Sequence, residues 1–226
     1  MLNYVVDPAL LAPLVPRGTL LDSYAGKTYI SLVGFRFERT RVRGIWIPFH
    51  SDFDEVNLRF YVRREVAGEA RRGVVFVREV VPRWGIAAVA RAAFGEKYVS
   101  LPMRHRIAGP VTADGRRQVE YGWRANDQWA GIRMEAEGRP SAVAAGSAEQ
   151  FIAEHYWGYN AQPDGSAMEY RVEHDPWRVW RPARASFSGD CSSLYGAALA
   201  ACLKAEPDSA LLAEGSSVAV YSGTRI

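Results

Sequence analysis

Polar and apolar side chains alternate at every position from Glu55 to Val62, and this pattern constrains the fold more than any other in the chain. Successive side chains of a β-strand point to opposite faces, so the alternation predicts a strand with two chemically different faces. One face is apolar and carries Val56, Leu58, Phe60 and Val62. The other face is polar and carries Glu55, Asn57, Arg59 and Tyr61.

The polar face of this strand has two interpretations. It is either an ordinary charged surface in solvent or the wall of an enclosed cavity. In a cavity an unpaired charge costs several kcal/mol, so each charged group there needs a partner or a ligand. Neighbouring side chains on one face are about 6.6 Å apart, and at that spacing Asn57 can bridge Glu55 and Arg59.

The rest of the chain is also rich in strand patterns. We expect strands at about 28–38, 43–48, 54–63, 74–81, 98–107, 116–124, 129–136, 168–173, 177–187 and 217–221. The charged segment 64–73 contains two glycines, which predicts a long hairpin loop. Helices are expected at 85–94, after a capping box formed by Ser147 and Gln150, and from Asp190 to about Lys204. Many short strands with few helices indicate an α+β domain on a curved, mostly antiparallel sheet or barrel with flanking helices.

Length and composition predict a single globular domain over residues 1–226. Hydrophobic residues make up 48% of the chain and charged residues 23%, as in ordinary globular proteins. No apolar stretch approaches the ~20 residues of a membrane span, and the first residues lack the basic region and apolar core of a signal peptide. We therefore expect a cytoplasmic protein with no membrane association, and the sequence leaves homo-oligomerisation open.

Several function classes lack their sequence signatures. The chain has no Gly-x-Ser-x-Gly elbow, phosphate-binding loop or dinucleotide fingerprint. Its histidines form no metal-binding pattern beyond a loose grouping of His50, Asp52 and Glu55, so we expect neither a metal nor a cofactor. A net charge of +3 is far below that of a basic nucleic-acid-binding surface, so we expect no nucleic-acid partner.

Lysine is scarce, and this limits amine chemistry. The lysines are Lys27, Lys97 and Lys204, whereas the other basic side chains, apart from histidine, are arginines. Arginine stays protonated in proteins and cannot form a Schiff base, whereas lysine can. Lys27 falls in a predicted turn and Lys204 near a predicted helix end, so Lys97 is the lysine best placed to act as a nucleophile.

A set of segments in a fixed order resembles the YqjF-like family (domain of unknown function 2071), which is related to acetoacetate decarboxylase. These segments are residues 7–16, Val-Gly-Phe-Arg-Phe at 33–37, Glu-Val-Asn-Leu-Arg-Phe-Tyr at 55–61, Phe94-Gly95 with Tyr98 and Met103, Phe-Ile-Ala-Glu-His-Tyr-Trp at 151–157, and Val-Glu-His-Asp-Pro-Trp at 172–177. The resemblance covers nearly the whole chain. It implies the acetoacetate-decarboxylase-like fold, a cone-shaped β-barrel with helices around it.

The resemblance also bears on the chemistry. The decarboxylases use a Schiff-base lysine with a lowered pKa, next to a glutamate and an arginine. The glutamate position falls on Glu55. The lysine position falls on Tyr98. Lys97 is the residue before it, and in an extended segment its side chain points to the opposite face. The arginine position falls at or before Met1 and is not assigned to a residue. Because the lysine is replaced by a tyrosine and the arginine has no assigned match, the resemblance argues against Schiff-base decarboxylation.

We therefore expect a small organic ligand on the polar wall. In the leading hypothesis Glu55 is a general base, while the substrate-binding residues are Asn57, Arg59, Tyr61 and Tyr98. Arg59 would hold a carboxylate or carbonyl oxygen. Two alternatives stay open: a ligand-binding or sensing module without turnover, and a Schiff-base decarboxylase or aldolase-type enzyme that uses Lys97.

Overall fold

The computed structural model describes residues 1–42, 45–46, 52–85, 97–109 and 115–226. Before the first long helix these contain strands β1 (Leu2–Val6), β2 (Leu20–Leu21), β3 (Thr28–Phe37), β4 (Arg41–Val42), β5 (Ile45–Trp46), β6 (Phe53–Val66), β7 (Glu69–Val81), β8 (Tyr98–Ser100), β9 (Met103–Ala108), β10 (Arg116–Ala125), β11 (Gln128–Glu137) and β12 (Ser141–Ala142). Two short 3-10 helices, Pro8–Leu10 and Ala12–Leu14, follow β1.

The C-terminal part begins with helix α1 (Ala148–Ala153), capped by Ser147, whose hydroxyl accepts a hydrogen bond from the Gln150 amide. It is followed by β13 (Trp157–Ala161), β14 (Ala167–His174), β15 (Arg178–Trp180), β16 (Arg184–Ser188), α2 (Ser192–Tyr195), α3 (Ala197–Cys202), β17 (Ser209–Ala210), β18 (Leu212–Ala213), β19 (Val218–Val220) and β20 (Thr224–Arg225).

The main sheet is centred on the long hairpin of β6 and β7. Its strand order is β17-β1-β3-β6-β7-β13-β14-β19. In addition, β2 pairs with β6, β8 with β7 and β20 with β14. Most of its pairs are antiparallel, whereas β13 and β8 each run parallel to β7. Strands of the described residues form open sheets, because the path of the main sheet runs from β17 at one edge to β19 at the other. The structure thus has the expected mostly antiparallel, strand-rich architecture without a closed barrel among the described residues.

The predicted long hairpin loop at 64–73 is wrong. Strands β6 and β7 stay paired as far as Val66 and Glu69, and only Ala67 and Gly68 form the turn. Both turn residues have positive φ, the conformation of a two-residue hairpin turn that follows the twist of its strands. The charged residues before and after the turn therefore lie in strands whose ladder hydrogen bonds do not depend on side-chain polarity.

Two clusters of buried side chains lie on opposite faces of the main sheet. The apolar face of β6 belongs to the larger cluster, which also includes residues of β10 and β11 and of the helices, such as Trp123, Met134, Tyr195 and Leu199. The opposite face belongs to a smaller cluster with Tyr61, Phe151 and Ile152. Full burial of such large apolar side chains stabilises the fold by about 1.5–3 kcal/mol each. The apolar face of β6 is thus fixed against the main core.

A β-bulge interrupts the β6–β7 hairpin. Arg59 pairs with Phe76, but Leu58 pairs with Arg78, so Val77 is the extra residue. A bulge shifts which side chains of the bulged strand share a face with the partner strand. Beyond the bulge Glu79 pairs with Asn57 and lies on its face.

The predicted helix from Asp190 to about Lys204 is two short helices, because Gly196 between them has φ +79 and cannot continue a right-handed helix. The predicted helix at 85–94 lies outside the described residues apart from Gly85, and so does most of the predicted strand at 43–48. None of the described helices is long and apolar enough to cross a membrane.

Candidate functional site

The polar face of β6 is buried, so it is not a solvent-facing surface. Glu55 and Asn57 are each 2% exposed and Tyr61 is 1% exposed, while Arg59 is half-buried. Their apolar neighbours on β6 lie in the large core on the opposite face. The alternation predicted from the sequence therefore corresponds to a buried polar wall.

One part of this wall, which we call the acid end, consists of Glu55, Asn57, Tyr98 and Glu79. Asn57 Nδ2 donates a hydrogen bond to Glu55 Oε1 over 3.0 Å. The Tyr98 hydroxyl donates to Glu55 Oε2, also over 3.0 Å. Both carboxylate oxygens of Glu55 therefore have a side-chain donor, one from its own strand and one from β8.

The carboxyl of Glu55 has an unusual acidity. Burial raises its pKa from an ordinary value of 4.5 to about 7, although the hydrogen bonds from Asn57 and Tyr98 act in the opposite direction. Desolvation dominates because a carboxylate loses most of its hydration when it enters the protein interior. At neutral pH this group exists in both protonation states, which is what a general acid–base catalyst requires.

Glu79 is the member of the acid end that the sequence pattern did not reveal. It is 2% exposed, opposite Asn57 in the β6–β7 ladder and next to Tyr98 in the ladder with β8. Simple alternation along 74–81 assigns Glu79 to the same face as Val75, which lies in the large core. The bulge at Val77 moves it to the polar face. The available signal was the charged pair Arg78-Glu79 inside an otherwise apolar strand.

The other part of the wall, which we call the basic end, consists of Arg59, Tyr61 and His155. Arg59 Nη2 donates to the carbonyl oxygen of Ile152 over 3.1 Å, and it contacts the sulfur of Met1 at 3.5 Å. Its guanidinium lies 5.7 Å from the centre of the Tyr61 ring. Helix α1 therefore holds the arginine from the side opposite the sheet.

Tyr61 is fixed by a short chain of hydrogen bonds. Its hydroxyl lies 2.6 Å from the Ser31 hydroxyl, and Ser31 in turn donates to Asn3 Oδ1 over 2.7 Å. Since Ser31 has one proton to give, Tyr61 is the donor in the first of these bonds. Its ring contacts the rings of Phe151 and His155. Tyr61 thus links β6 to α1 through its ring and to β3 through its hydroxyl.

The expected bridge of Asn57 between Glu55 and Arg59 forms on one side only. Asn57 donates to Glu55, but its Oδ1 atom is buried and has no hydrogen-bond partner among the described residues. Arg59 instead extends to the backbone of α1, whose carbonyl is a strong acceptor at the end of a short helix. The predicted site residues therefore divide between the acid end and the basic end.

Lys97 lies apart from the acid end. It is exposed, whereas its neighbour Tyr98 is the residue that reaches Glu55. The amide of Glu79 donates to the Lys97 carbonyl oxygen over 3.3 Å, so the backbone here is aligned with β7. Adjacent side chains of extended backbone point to opposite sides, which places the amine away from the Glu55 carboxyl.

Among the described residues, no group of three or more His, Cys, Asp or Glu side chains is arranged to hold a metal ion. His50 of the loose grouping with Asp52 and Glu55 lies outside them. Asp52 accepts a hydrogen bond from the Arg39 amide, while Glu55 bonds with Asn57 and Tyr98. The observed site chemistry is that of carboxyl, hydroxyl, amide, guanidinium and imidazole groups.

Comparison with known sequences identifies the family. The profile of DUF2071, described as an uncharacterized conserved protein, matches residues 1–217. The chain belongs to the DUF2071 family. A search of curated protein sequences found no match.

Solved structures similar to this DUF2071 protein share the acetoacetate-decarboxylase-like fold. An acetoacetate decarboxylase from Legionella pneumophila is 14% identical with a TM-score of 0.61, over 100% of this chain and 82% of that one. An acetoacetate decarboxylase-like enzyme from Sphingomonas wittichii is 14% identical with a TM-score of 0.60, over 100% of this chain and 88% of that one. The enduracididine biosynthesis enzyme MppR complexed with pyruvate is 13% identical with a TM-score of 0.56, over 99% of this chain and 83% of that one. At these identities the likeness establishes the fold.

Proposed function

We propose that this protein binds a small carboxylate- or carbonyl-containing compound at the polar wall of β6, and that Glu55 acts on it as a general acid–base without a Schiff-base lysine. The observation that carries the proposal is the buried Glu55 carboxyl, which has a pKa of about 7 and is held by Asn57 and Tyr98. Buried titratable groups with specific partners are typical of catalytic sites. That MppR binds pyruvate supports a ligand of this class for the fold.

The proposed chemistry starts with ionised Glu55. The carboxylate takes a proton from the carbon next to a ligand carbonyl, and the electron pair of that C–H bond moves into an enolate whose charge is on the carbonyl oxygen. Once Glu55 is protonated, its hydrogen bonds from Asn57 and Tyr98 weaken, because a neutral acid is the poorer acceptor. The Tyr98 hydroxyl can then donate to the enolate oxygen. We also propose that the barrel implied by the family resemblance encloses the polar wall and keeps bulk water away from it.

The test is a search for turnover with a matched pair of variants. The wild type, Glu55→Gln and Glu65→Gln are incubated with a panel of small 2-oxo and hydroxy acids, while thermal shift reports binding and mass analysis reports conversion. Glu65 is an exposed carboxylate on the same strand, so its variant controls for loss of charge on β6. We expect Glu55→Gln to lose turnover and Glu65→Gln to retain it. Equal turnover by both variants would disprove the acid–base role.

A binding or sensing module without turnover is the second candidate. It is favoured by buried polar atoms of Asn57, Arg59 and His155 that have no partner among the described residues, because such atoms are suited to a ligand whether or not chemistry follows. In the same panel, stabilisation of the wild type by an acid with no product after prolonged incubation would favour this candidate over catalysis.

Schiff-base chemistry through Lys97 is the third candidate, and it has its own test. Borohydride reduction in the presence of a ketone would trap an adduct on a reactive lysine. Since Lys97 is exposed and the position facing Glu55 is occupied by Tyr98, we expect no more adduct on the wild type than on Lys97→Ala. A stoichiometric adduct that is absent from Lys97→Ala would contradict our leading proposal.

A further inference from the structure

His155 is a buried histidine at the basic end whose role the family resemblance leaves unassigned. It is 7% exposed and follows the C-terminal end of α1. Its ring lies 4.6 Å from the ring of Tyr61 and 5.6 Å from that of Phe151. These contacts fix the imidazole against the polar wall of β6.

Both ring nitrogens of His155 are buried and have no hydrogen-bond partner among the described residues. Burial, with the positive charge of Arg59 as a smaller cause, holds the pKa of this histidine well below its usual value of 6.5. The ring is therefore neutral at physiological pH, with one N–H donor and one acceptor nitrogen. A buried polar atom without a hydrogen-bond partner is destabilising, so a polar group of a ligand at this ring would be stabilising.

Arg59, which lies next to His155, also has a buried polar atom without a hydrogen-bond partner among the described residues. None of the described carboxylates lies within ion-pair distance of it, and its Nε is buried without a partner. Its Nη2 is held by the carbonyl of Ile152, three residues before His155, so one turn of chain positions both side chains. A half-buried guanidinium with free donors is well suited to a carboxylate.

The spacing along β6 separates this group from Glu55. Arg59 is four residues from Glu55, which corresponds to about 13 Å between Cα atoms at about 3.3 Å per residue. Both side chains leave the same face, and Arg59 extends to α1 rather than to Asn57. If the carboxyl and the guanidinium are separated by the same distance as their Cα atoms, and about 3 Å is allowed for a hydrogen bond at each end, about 7 Å remains for the ligand. This length corresponds to a straight chain of roughly six carbon atoms.

We propose that the ligand is an elongated carboxylic acid, with its carboxylate bound by Arg59 and His155 and its distal carbonyl at Glu55. This inference rests on the proposed function and adds the length of the substrate and a specificity residue. His155 donates its N–H to one carboxylate oxygen, and Arg59 neutralises the charge. The chain between the two polar groups lies along the wall past Asn57.

The test measures binding of methyl-keto acids of increasing length by calorimetry. The probes are pyruvate, 4-oxopentanoate and 6-oxoheptanoate. We expect 6-oxoheptanoate to bind the wild type most tightly and His155→Phe to bind it at least tenfold more weakly. Phenylalanine preserves the ring contacts with Tyr61 and Phe151 but removes both polar atoms, so the thermal stability of the unliganded variant should equal or exceed that of the wild type.

A second readout follows the imidazole itself. In protein labelled with 15N-histidine, addition of 6-oxoheptanoate should shift the ring-nitrogen resonances of His155 and leave those of the exposed His105 unchanged. Such a shift would not arise from a role limited to packing. Glu65→Gln should bind all three acids as the wild type does.

The failures of the two proposals are distinguishable. Equal binding of 6-oxoheptanoate by the wild type and His155→Phe, without a His155 shift, would overturn the present inference alone. Tighter binding of pyruvate than of 6-oxoheptanoate would overturn the proposed length. If the wild type binds none of the three acids, the inference fails together with the proposed binding function.

Discussion

The acid end and the basic end share one strand, one alternation pattern and one buried face, yet they meet their polar requirements in different ways. At the acid end, both oxygens of Glu55 accept hydrogen bonds from neighbouring side chains, although the Oδ1 atom of Asn57 has no partner among the described residues. At the basic end, Arg59 and His155 keep buried atoms without partners among the described residues. Under the proposed function, the acid end changes its protonation state, whereas the basic end binds a polar group of the ligand.

The sharpest test of this comparison is the pH dependence of folding. Below pH 4.5 the Glu55 carboxyl is protonated in both the folded and the unfolded chain. Between pH 4.5 and about 7 only the unfolded chain releases the proton, so the contribution of Glu55 to the free energy of unfolding falls by about 1.36 kcal/mol per pH unit, or roughly 3 kcal/mol in all. Above about pH 7 both states are ionised and this contribution stays constant. Among the described residues, Asn57 and Tyr98 donate hydrogen bonds to this carboxyl, and Glu79 lies on the same face of the sheet.

Replacement of Glu55 should remove this loss. Glu55→Gln keeps an acceptor and the side-chain shape, so its stability relative to the wild type should rise between pH 4.5 and 7. Urea unfolding at several pH values measures the effect, with Glu65→Gln as the control. Parallel pH profiles for the wild type and Glu55→Gln would show that Glu55 titrates normally and that the acid end has no special acidity.

A smaller effect is expected from Tyr98→Phe. The Tyr98 hydroxyl stabilises the ionised form of Glu55, so its removal should raise the pKa of Glu55 further. A hydrogen bond to a charged group contributes about 1.5–3 kcal/mol, so its loss should raise the pKa of Glu55 by roughly one or more. Carboxyl 13C chemical shifts followed through a pH titration measure it. Tyr61→Phe at the basic end is the matched control, and an equal shift in both variants would show that the two ends are not independent.

The smallest effect concerns Tyr61 alone. Tyr61→Phe removes the hydrogen bond to Ser31, which still donates to Asn3, so we expect a loss of about 1 kcal/mol in the free energy of unfolding. Because the lost hydrogen bond joins two hydroxyl groups and involves no charged group, this loss should be the same at pH 5 and at pH 7. Denaturant unfolding at these two pH values measures it. A loss that varies with pH would contradict the division of the wall into two ends.

Much of the wall followed from local sequence rules. The period of two along β6 separated its polar and apolar side chains correctly, because strand geometry alone decides which side chains share a face. The match to the decarboxylase-related family drew attention to Glu55 and Tyr98, which prove to be hydrogen-bonded to each other. In the same way, Ser147 and Gln150 predicted the start of α1.

Other parts of the site were beyond such rules. Glu79 joins the acid end because a bulge at Val77 changes its face, and the charged pair Arg78-Glu79 does not by itself indicate where a bulge occurs. His155 joins the basic end because its ring packs against that of Tyr61, which is more than ninety residues away in the sequence. The failed bridge from Asn57 to Arg59 has the same origin, since the carbonyl of Ile152 is the competing acceptor. The predicted hairpin loop was wrong because backbone pairing overrides the charged composition of the segment.

Strand periodicity alone divides β6 into a polar and an apolar face, and the family resemblance predicts that a tyrosine, Tyr98, takes the position of the reactive lysine. These properties depend on backbone geometry and residue identity, which are local. Tertiary packing, in contrast, buries the polar face, raises the pKa of Glu55 to about 7, and brings Arg59 and His155 together with no carboxylate of the described residues paired to them. Desolvation and pairing are properties of the surroundings, and only the packing of distant segments creates those surroundings.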